Sequence, residues 1–199
     1  MKRILFLFIL LVLILSQVSA YKILYAEQYY KLYHQNLYQY PEDYNGNIWF
    51  LERALSRPFV NPLYALTQIQ DQKQWERYRY LFYMHVNLKI LEQYRYLGNK
   101  YDKRTAYFFN EPWKEENLKS LDIAESYYTT AEYYWKEALT WIEKLKKVDY
   151  FFLSDIQNWE DEHFRIITGE LDYSEILGKD IKHLKSVRAD FLSMDKNTY

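Results

Sequence analysis

The sequence predicts an all-α protein, a helical bundle or set of stacked helical hairpins with about six or seven helices after a cleaved signal peptide. Three observations carry that expectation. Apolar residues recur at three- and four-residue spacing over long stretches, helix-start and helix-stop residues bracket them, and strand-like alternation is sustained nowhere outside Val148–Leu153. Aromatic side chains, 23 Tyr, 11 Phe and 6 Trp in 199 residues, supply much of the apolar surface.

The N-terminal segment stands apart from this pattern. Lys2 and Arg3 precede an unbroken apolar run, Ile4–Leu15, and Val18-Ser19-Ala20 places small residues before Tyr21. Such a segment reads as a signal peptide, and the run is shorter than the roughly 20 apolar residues a membrane span needs. An uncleaved anchor is the alternative. The expected organisation is a signal peptide over 1–20, a single all-α domain over 21–194 and a short tail over 195–199. Export to a periplasm follows, with no membrane span after cleavage. An exported chain without Cys must be held by packing alone, which fits a bacterial periplasm better than a small disulfide-stapled module.

The elements follow in order. Tyr21, Tyr25, Tyr29, Tyr33 and Leu37 form an i,i+4 ladder in a helix that stops at Pro41. Asn45-Gly46 marks a turn, and Asn47 is expected to cap a short helix through Leu55. Ser56–Asn61 is a connector interrupted by Pro58, and Asn61-Pro62 is an N-cap with Pro at the first helical position, opening Leu63–Ile69. Asp71 caps the next helix, which runs to about Leu97 and ends with Gly98 in the C′ position. Trp75, Tyr78, Leu81, Phe82, Met84, Leu88 and Leu91 leave this helix apolar on most sides, so it is expected at the centre of the bundle.

After Pro112 the longest helical pattern runs from about Lys114 to Lys147. Leu121, Ala124, Tyr128, Ala131, Trp135, Ala138, Ile142 and Leu145 form a seam near period 3.5, and Ile123, Tyr127, Tyr134 and Trp141 form a second apolar row beside it. Ser154-Asp155-Ile156-Gln157 has capping-box spacing and opens a helix stopped by Gly169. Asp172-x-x-Glu175 repeats the signal for a last helix to about Met194, in which Gly178 marks a close crossing or a kink.

Composition excludes several chemistries. Without Cys there is no disulfide, thiolate metal site or Cys nucleophile. Four scattered Gly cannot build a phosphate-cradling loop. The net charge of −1, with both signs interspersed, gives no footprint for nucleic acid. Arg77, Arg79 and Arg95 alternate with Tyr, and cation–π packing between helices explains this better than stacking on bases. No Ser lies in a nucleophile elbow, and no His-Glu-x-x-His is present.

Glu160-x-x-His163 and Asp180-x-x-His183 are the sharpest candidates for metal chemistry, because paired i,i+3 carboxylate–histidine motifs on facing helices build di-iron sites in ferritin-like bundles. The second pair carries Asp where that pattern has Glu, and Glu160-Asp161-Glu162 reads more simply as a solvated, ion-paired face. No metal, cofactor or catalytic residue is therefore assigned. His34 and His85 read as hydrogen-bonded structural histidines.

The aromatics are what remains. A domain of this size cannot bury all of them, and an exposed cluster would be a contact surface. The residues expected to make protein contacts are Tyr25, Tyr29, Tyr33, Trp49, Phe50, Tyr127, Tyr134 and Trp141.

Two resemblances bear on the setting. Ala131-x-x-x-Trp135-x-x-Ala138 is similar to the second helix of a tetratricopeptide repeat, although no 34-residue period recurs. The combination of Asn47–Ile69, Leu88–Trp113 and Ala131–Ala138 with Tyr-rich helices and an export signal resembles exported helical proteins of spirochaete periplasmic flagella, of the coiling-sheath or motor-collar type. That resemblance implies a non-enzymatic assembly component whose partners are other periplasmic flagellar proteins, in a homo- or hetero-oligomer. The alternative expectation is a soluble peptide- or glycan-binding helical module, which would gather Tyr and Trp in one concave pocket with convergent polar groups.

Overall fold

Asp71 sets the start of the helix around which the others gather. In the computed structural model, which describes residues 22–104 and 108–198, its carboxylate accepts a hydrogen bond from Gln74 N at 2.8 Å and caps a helix of 30 residues. In chain order the helices are α1 (Ala26–Gln39), α2 (Tyr44–Ser56), α3 (Gln72–Tyr101), α4 (Lys114–Leu145), α5 (Gln157–Ile167) and α6 (Tyr173–Ser193). Single 3-10 turns cover Pro62–Tyr64, Glu111–Trp113 and Ser154–Ile156. Among the described residues no strand occurs, and Val148–Leu153 is an irregular connector. The segment read as a signal peptide lies outside the described residues.

The central position expected of α3 is observed. It packs antiparallel on α4 along most of its length, α2 lies against it, α5 crosses it, and α1 reaches it through aromatic side chains. All eight seam residues of α4, from Leu121 to Leu145, are buried. The second row of α4 faces α3 with its rings: Tyr127 meets Tyr94 and Tyr101, Tyr134 stacks on Tyr94, and Trp141 stacks on Tyr83. Ile123 in the same row is exposed. α6 closes the other side of α4 through Leu177, Leu184, Val187 and Phe191. Such burial, at roughly 25 cal/mol per Å² of apolar surface, is the main force holding a Cys-free chain together.

Several boundaries differ from expectation. Asp43, not Asn47, caps α2, accepting from Gly46 N. Asn47 lies inside the helix, fully buried, and donates to Gln93 on α3. Asn61 does cap, accepting from Leu63 N, but only one 3-10 turn follows. Beyond it Leu66 N reaches the Tyr78 hydroxyl, and the chain runs non-helically over the start of α3.

Gly98 does not end α3. It lies inside the helix, where a Cβ would overlap the Tyr128 ring of α4, so its role is close helix approach. Gly169 stops the region after α5 as expected, at φ +80. Gly178 has no neighbour within 4 Å of a Cβ position, so it marks no close crossing.

Candidate functional site

Several buried or half-buried ionisable groups are paired with one another along α3. Near its start, Arg77 donates Nε and Nη2 to the two carboxylate oxygens of Glu160 on α5, each at 2.6 Å, with both side chains buried. The remaining Arg77 nitrogen, Nη1, meets the carbonyls of Val148 and Asp149. One stretch further on, His85 bridges Tyr30 of α1, at 2.8 Å from its hydroxyl, and Glu162 of α5. Lys89 pairs with Glu162 and Glu92, and the Tyr173 hydroxyl of α6 donates to Glu92 at 2.7 Å. At the far end Asp180 of α6 takes Arg95 and Arg104, while Arg104 also pairs with Asp102.

This arrangement decides the fate of the two carboxylate–histidine pairs. Glu160 and His163 lie at the Arg77 end of α3, and Asp180 and His183 at the Arg95 end, so the four side chains do not converge. His183 Nε2 lies 3.2 Å from the Asp102 carbonyl. Among the described residues no group of three or more such side chains could hold a metal ion. The Glu160-Asp161-Glu162 run is ion-paired as expected but only partly solvated: Asp161 is exposed, Glu160 is buried on Arg77, and Glu162 is turned onto His85 and Lys89.

His163 is buried beside the Arg77–Glu160 pair, 3.9 Å from Glu160, too far for a hydrogen bond. Burial first, then the charges of Arg77 and Lys146, lower its pKa to about 4. Of the two histidines read as structural, His85 fits that description. His34 is exposed and rests its ring on Tyr30 and Tyr33. Arg77 lies over Tyr150 of the connector and Arg79 over Trp75 of its own helix, so these cation–π contacts do not join helices as expected, and for Arg77 and Arg95 the ion pairs dominate.

Against this background one concavity is different. Between α2, α3 and α4 runs an open groove of about 420 Å³, with Tyr83, Tyr133, Tyr134 and Trp141 as its aromatic walls and Glu52 and Glu137 as its acids. Three helices position these groups. Residues 133, 137 and 141 are four apart on α4 and share one face. Trp141 is fixed between neighbours: Tyr83 stacks on it at 4.3 Å and 19°, and Lys144 Nζ lies 3.7 Å from its ring centre.

Tyr133 stands edge-on to Tyr134 and is exposed. The Tyr134 hydroxyl donates to Glu52 at 2.9 Å, which aligns the carboxylate across the α2–α4 gap. Burial, and then the Glu52 carboxylate, raise the Tyr134 pKa well above the ordinary tyrosine value. The buried Asn87 amide at the floor donates to the Tyr83 carbonyl. Among the described residues neither Glu52 nor Glu137 has a cationic partner within salt-bridge distance.

Of the eight residues expected to make contacts, Tyr134 and Trp141 line this groove. Tyr29 and Tyr33 are interior instead, at 8 % and 2 % exposed, because α1 turns that ladder toward α2 and α3. Tyr25 and Phe50 are half-buried, and Phe50 packs on the core beside Trp49. Trp49 is exposed but carries Arg53 over its ring. Tyr127 is half-buried between α3 and α4. The groove residues that sequence reasoning missed are Glu52, Tyr83, Tyr133 and Glu137. A signal for two of them was present: Tyr133, Glu137 and Trp141 set a carboxylate between two rings on one helical face.

A family described as "Domain of unknown function (DUF8513)" matches residues 73–194, which is α3 through α6. The α2 wall of the groove lies outside that match. No curated protein and no solved structure matches the chain.

Proposed function

We propose that this chain, which belongs to the family described as a domain of unknown function (DUF8513), is a non-enzymatic docking protein that holds a segment of a protein partner in the groove between α2, α3 and α4. The observation that carries this reading is the groove itself, where four aromatic walls meet two acids that have no cation within salt-bridge distance, while Glu160, Glu162 and Asp180, which face α3, are each paired with one of its cations. Aromatic rings with polar tips, in a site that keeps contact with water, are the surface type that protein recognition favours.

Its concave shape favours capture of a short segment over the flat helix-on-helix packing of a sheath, and so draws the peptide-binding alternative and the assembly reading together. The setting we propose is the periplasm, with partners among envelope or flagellar assembly proteins. This rests on the N-terminal export pattern and the sequence resemblance. Among the described residues no helix is long and apolar enough to cross a membrane.

The test places a photo-crosslinking residue at position 133, whose Tyr is 56 % exposed, and at the control position 38, whose Tyr is 91 % exposed, in cells carrying the chain. A defined protein adduct from 133 and not from 38, together with altered motility of a deletion strain, is the expected result. A normally motile deletion strain with no protein adduct at 133 would defeat the proposal.

A further inference from the structure

The groove has an electrostatic character that its shape alone does not convey. Glu52 accepts a hydrogen bond from the Tyr134 hydroxyl, which fixes its carboxylate at the groove, and it stays exposed. Glu137 stands one turn from both Tyr133 and Trp141 on the same face.

Arg53 lies over Trp49 and Arg57 over Tyr29, away from the groove, while Lys144 rests on the Trp141 ring at the groove wall. Two carboxylates thus line a groove walled by π-surfaces, and among the described residues neither has a cation within salt-bridge distance. Aromatic faces attract cations through the ring quadrupole, and an adjacent carboxylate adds a direct Coulomb attraction. Trp141 already shows the preference, since Lys144 occupies its ring at 3.7 Å.

We infer that the groove recognises a basic side chain of its protein partner, arginine in preference to lysine, seated between Tyr133, Tyr134 and the carboxylates of Glu52 and Glu137. Arginine is preferred because a planar guanidinium can stack on a tyrosine ring while its fork of N–H donors reaches a carboxylate, whereas an ammonium offers a point charge alone. The occupant is a segment of protein and not a free amine, because the groove is open along three helices and its four aromatic walls offer more contact surface than a lone amine covers. This inference rests on the docking reading above and names the chemistry of its partner.

The probe is a blocked tripeptide, Ala-Arg-Ala, titrated into the full chain while the Trp141 indole N–H and the Asn87 side-chain amide are followed by NMR. The control is the same peptide with citrulline, which keeps the shape of arginine and removes its charge. Saturable shifts with the arginine peptide, at least about tenfold weaker binding of the citrulline peptide, and a roughly fivefold loss for each of Glu52→Gln and Glu137→Gln are the expected results. Both substitutions are isosteric and lie at the groove, so an unchanged circular dichroism spectrum verifies the fold.

Equal binding of the two peptides, or no shift up to about 10 mM, overturns the inference. Crosslinking of a partner from position 133 combined with indifference to charge leaves docking intact and removes the basic side chain. Charge-dependent peptide binding without any crosslinked protein keeps the cation site and removes the docking reading.

Discussion

Gly98 and Gly178 both sit within helices, yet their surroundings give the same residue opposite meanings. A Cβ at 98 would overlap the ring of Tyr128, which cannot swing aside because its hydroxyl is held by Asn99 at 2.8 Å and Asp102 at 2.6 Å. Gly98→Ala is therefore expected to destabilise the fold by about 1–3 kcal/mol, the usual cost of overpacking. At Gly178 nothing stands within 4 Å, so Gly178→Ala should stabilise by up to about 1 kcal/mol through helix propensity alone. Urea unfolding of the two variants checks both signs, and a common sign would contradict this account.

The contrast also marks what single residues reveal in a sequence. Gly98 reads as a helix stop because glycine so often fills C′. Its actual cause, a tyrosine thirty positions later, is a tertiary fact. Gly169 reads correctly because a positive φ is a local requirement.

At the scale of elements, legibility follows the range of the forces involved. The seam of α4 was readable because periodicity is a property of one helix, and each seam position is buried. The central place of α3 was readable because few exposed faces can be drawn on it. The helix expected after Asn61-Pro62 does not form because Tyr78 of α3 takes up the Leu66 amide, so tertiary contacts override a sound local cap.

Likewise α5 carries Trp159, Glu160 and His163 on its buried side, but the reason a carboxylate can sit there is Arg77, 83 residues away. That pair is one of the links between α5 and α3, beside Glu162 on His85 and Lys89 and the Trp159 ring, and it supplies a test. Arg77→Met alone should cost about 3–5 kcal/mol because it leaves Glu160 buried without a partner. Arg77→Met with Glu160→Leu should cost much less, since an apolar pair of similar volume needs no counterion. A double-mutant cycle by urea unfolding measures the difference, and additive losses would sink the argument. The groove shows the same division: Tyr133, Glu137 and Trp141 share a face that the sequence displays, whereas Glu52 joins them only because α2 folds across α3.

For the whole molecule, the buried histidines make stability depend on pH. Unfolded, His163 titrates near the ordinary 6.5; folded, its pKa is lowered to about 4. Between these values the unfolded chain binds more protons, so stability is full above about pH 6.5 and declines as pH falls toward 4. The groups facing His163 are Glu160, already taken by Arg77, and the cations Arg77 and Lys146, which oppose its protonation. His85, buried as well, is also lowered, mainly by that burial, and acts in the same direction. Denaturant unfolding at pH 7 and pH 5 should show a loss at the lower value, and His163→Leu should shrink that loss. An unchanged pH dependence in the variant would place the effect elsewhere.

Trp159 lies wholly inside the junction of α1, α3 and α5, parallel to His85 at 4.9 Å and edge-on to Tyr30 and Phe82. The protein therefore carries an optical gauge at its interior. With 23 tyrosines available as energy donors, light absorbed across the bundle can funnel to a few indoles, of which this one is shielded from water and asymmetrically caged. Its near-ultraviolet dichroism and blue-shifted emission would register loosening between these three helices before the helical backbone itself melts.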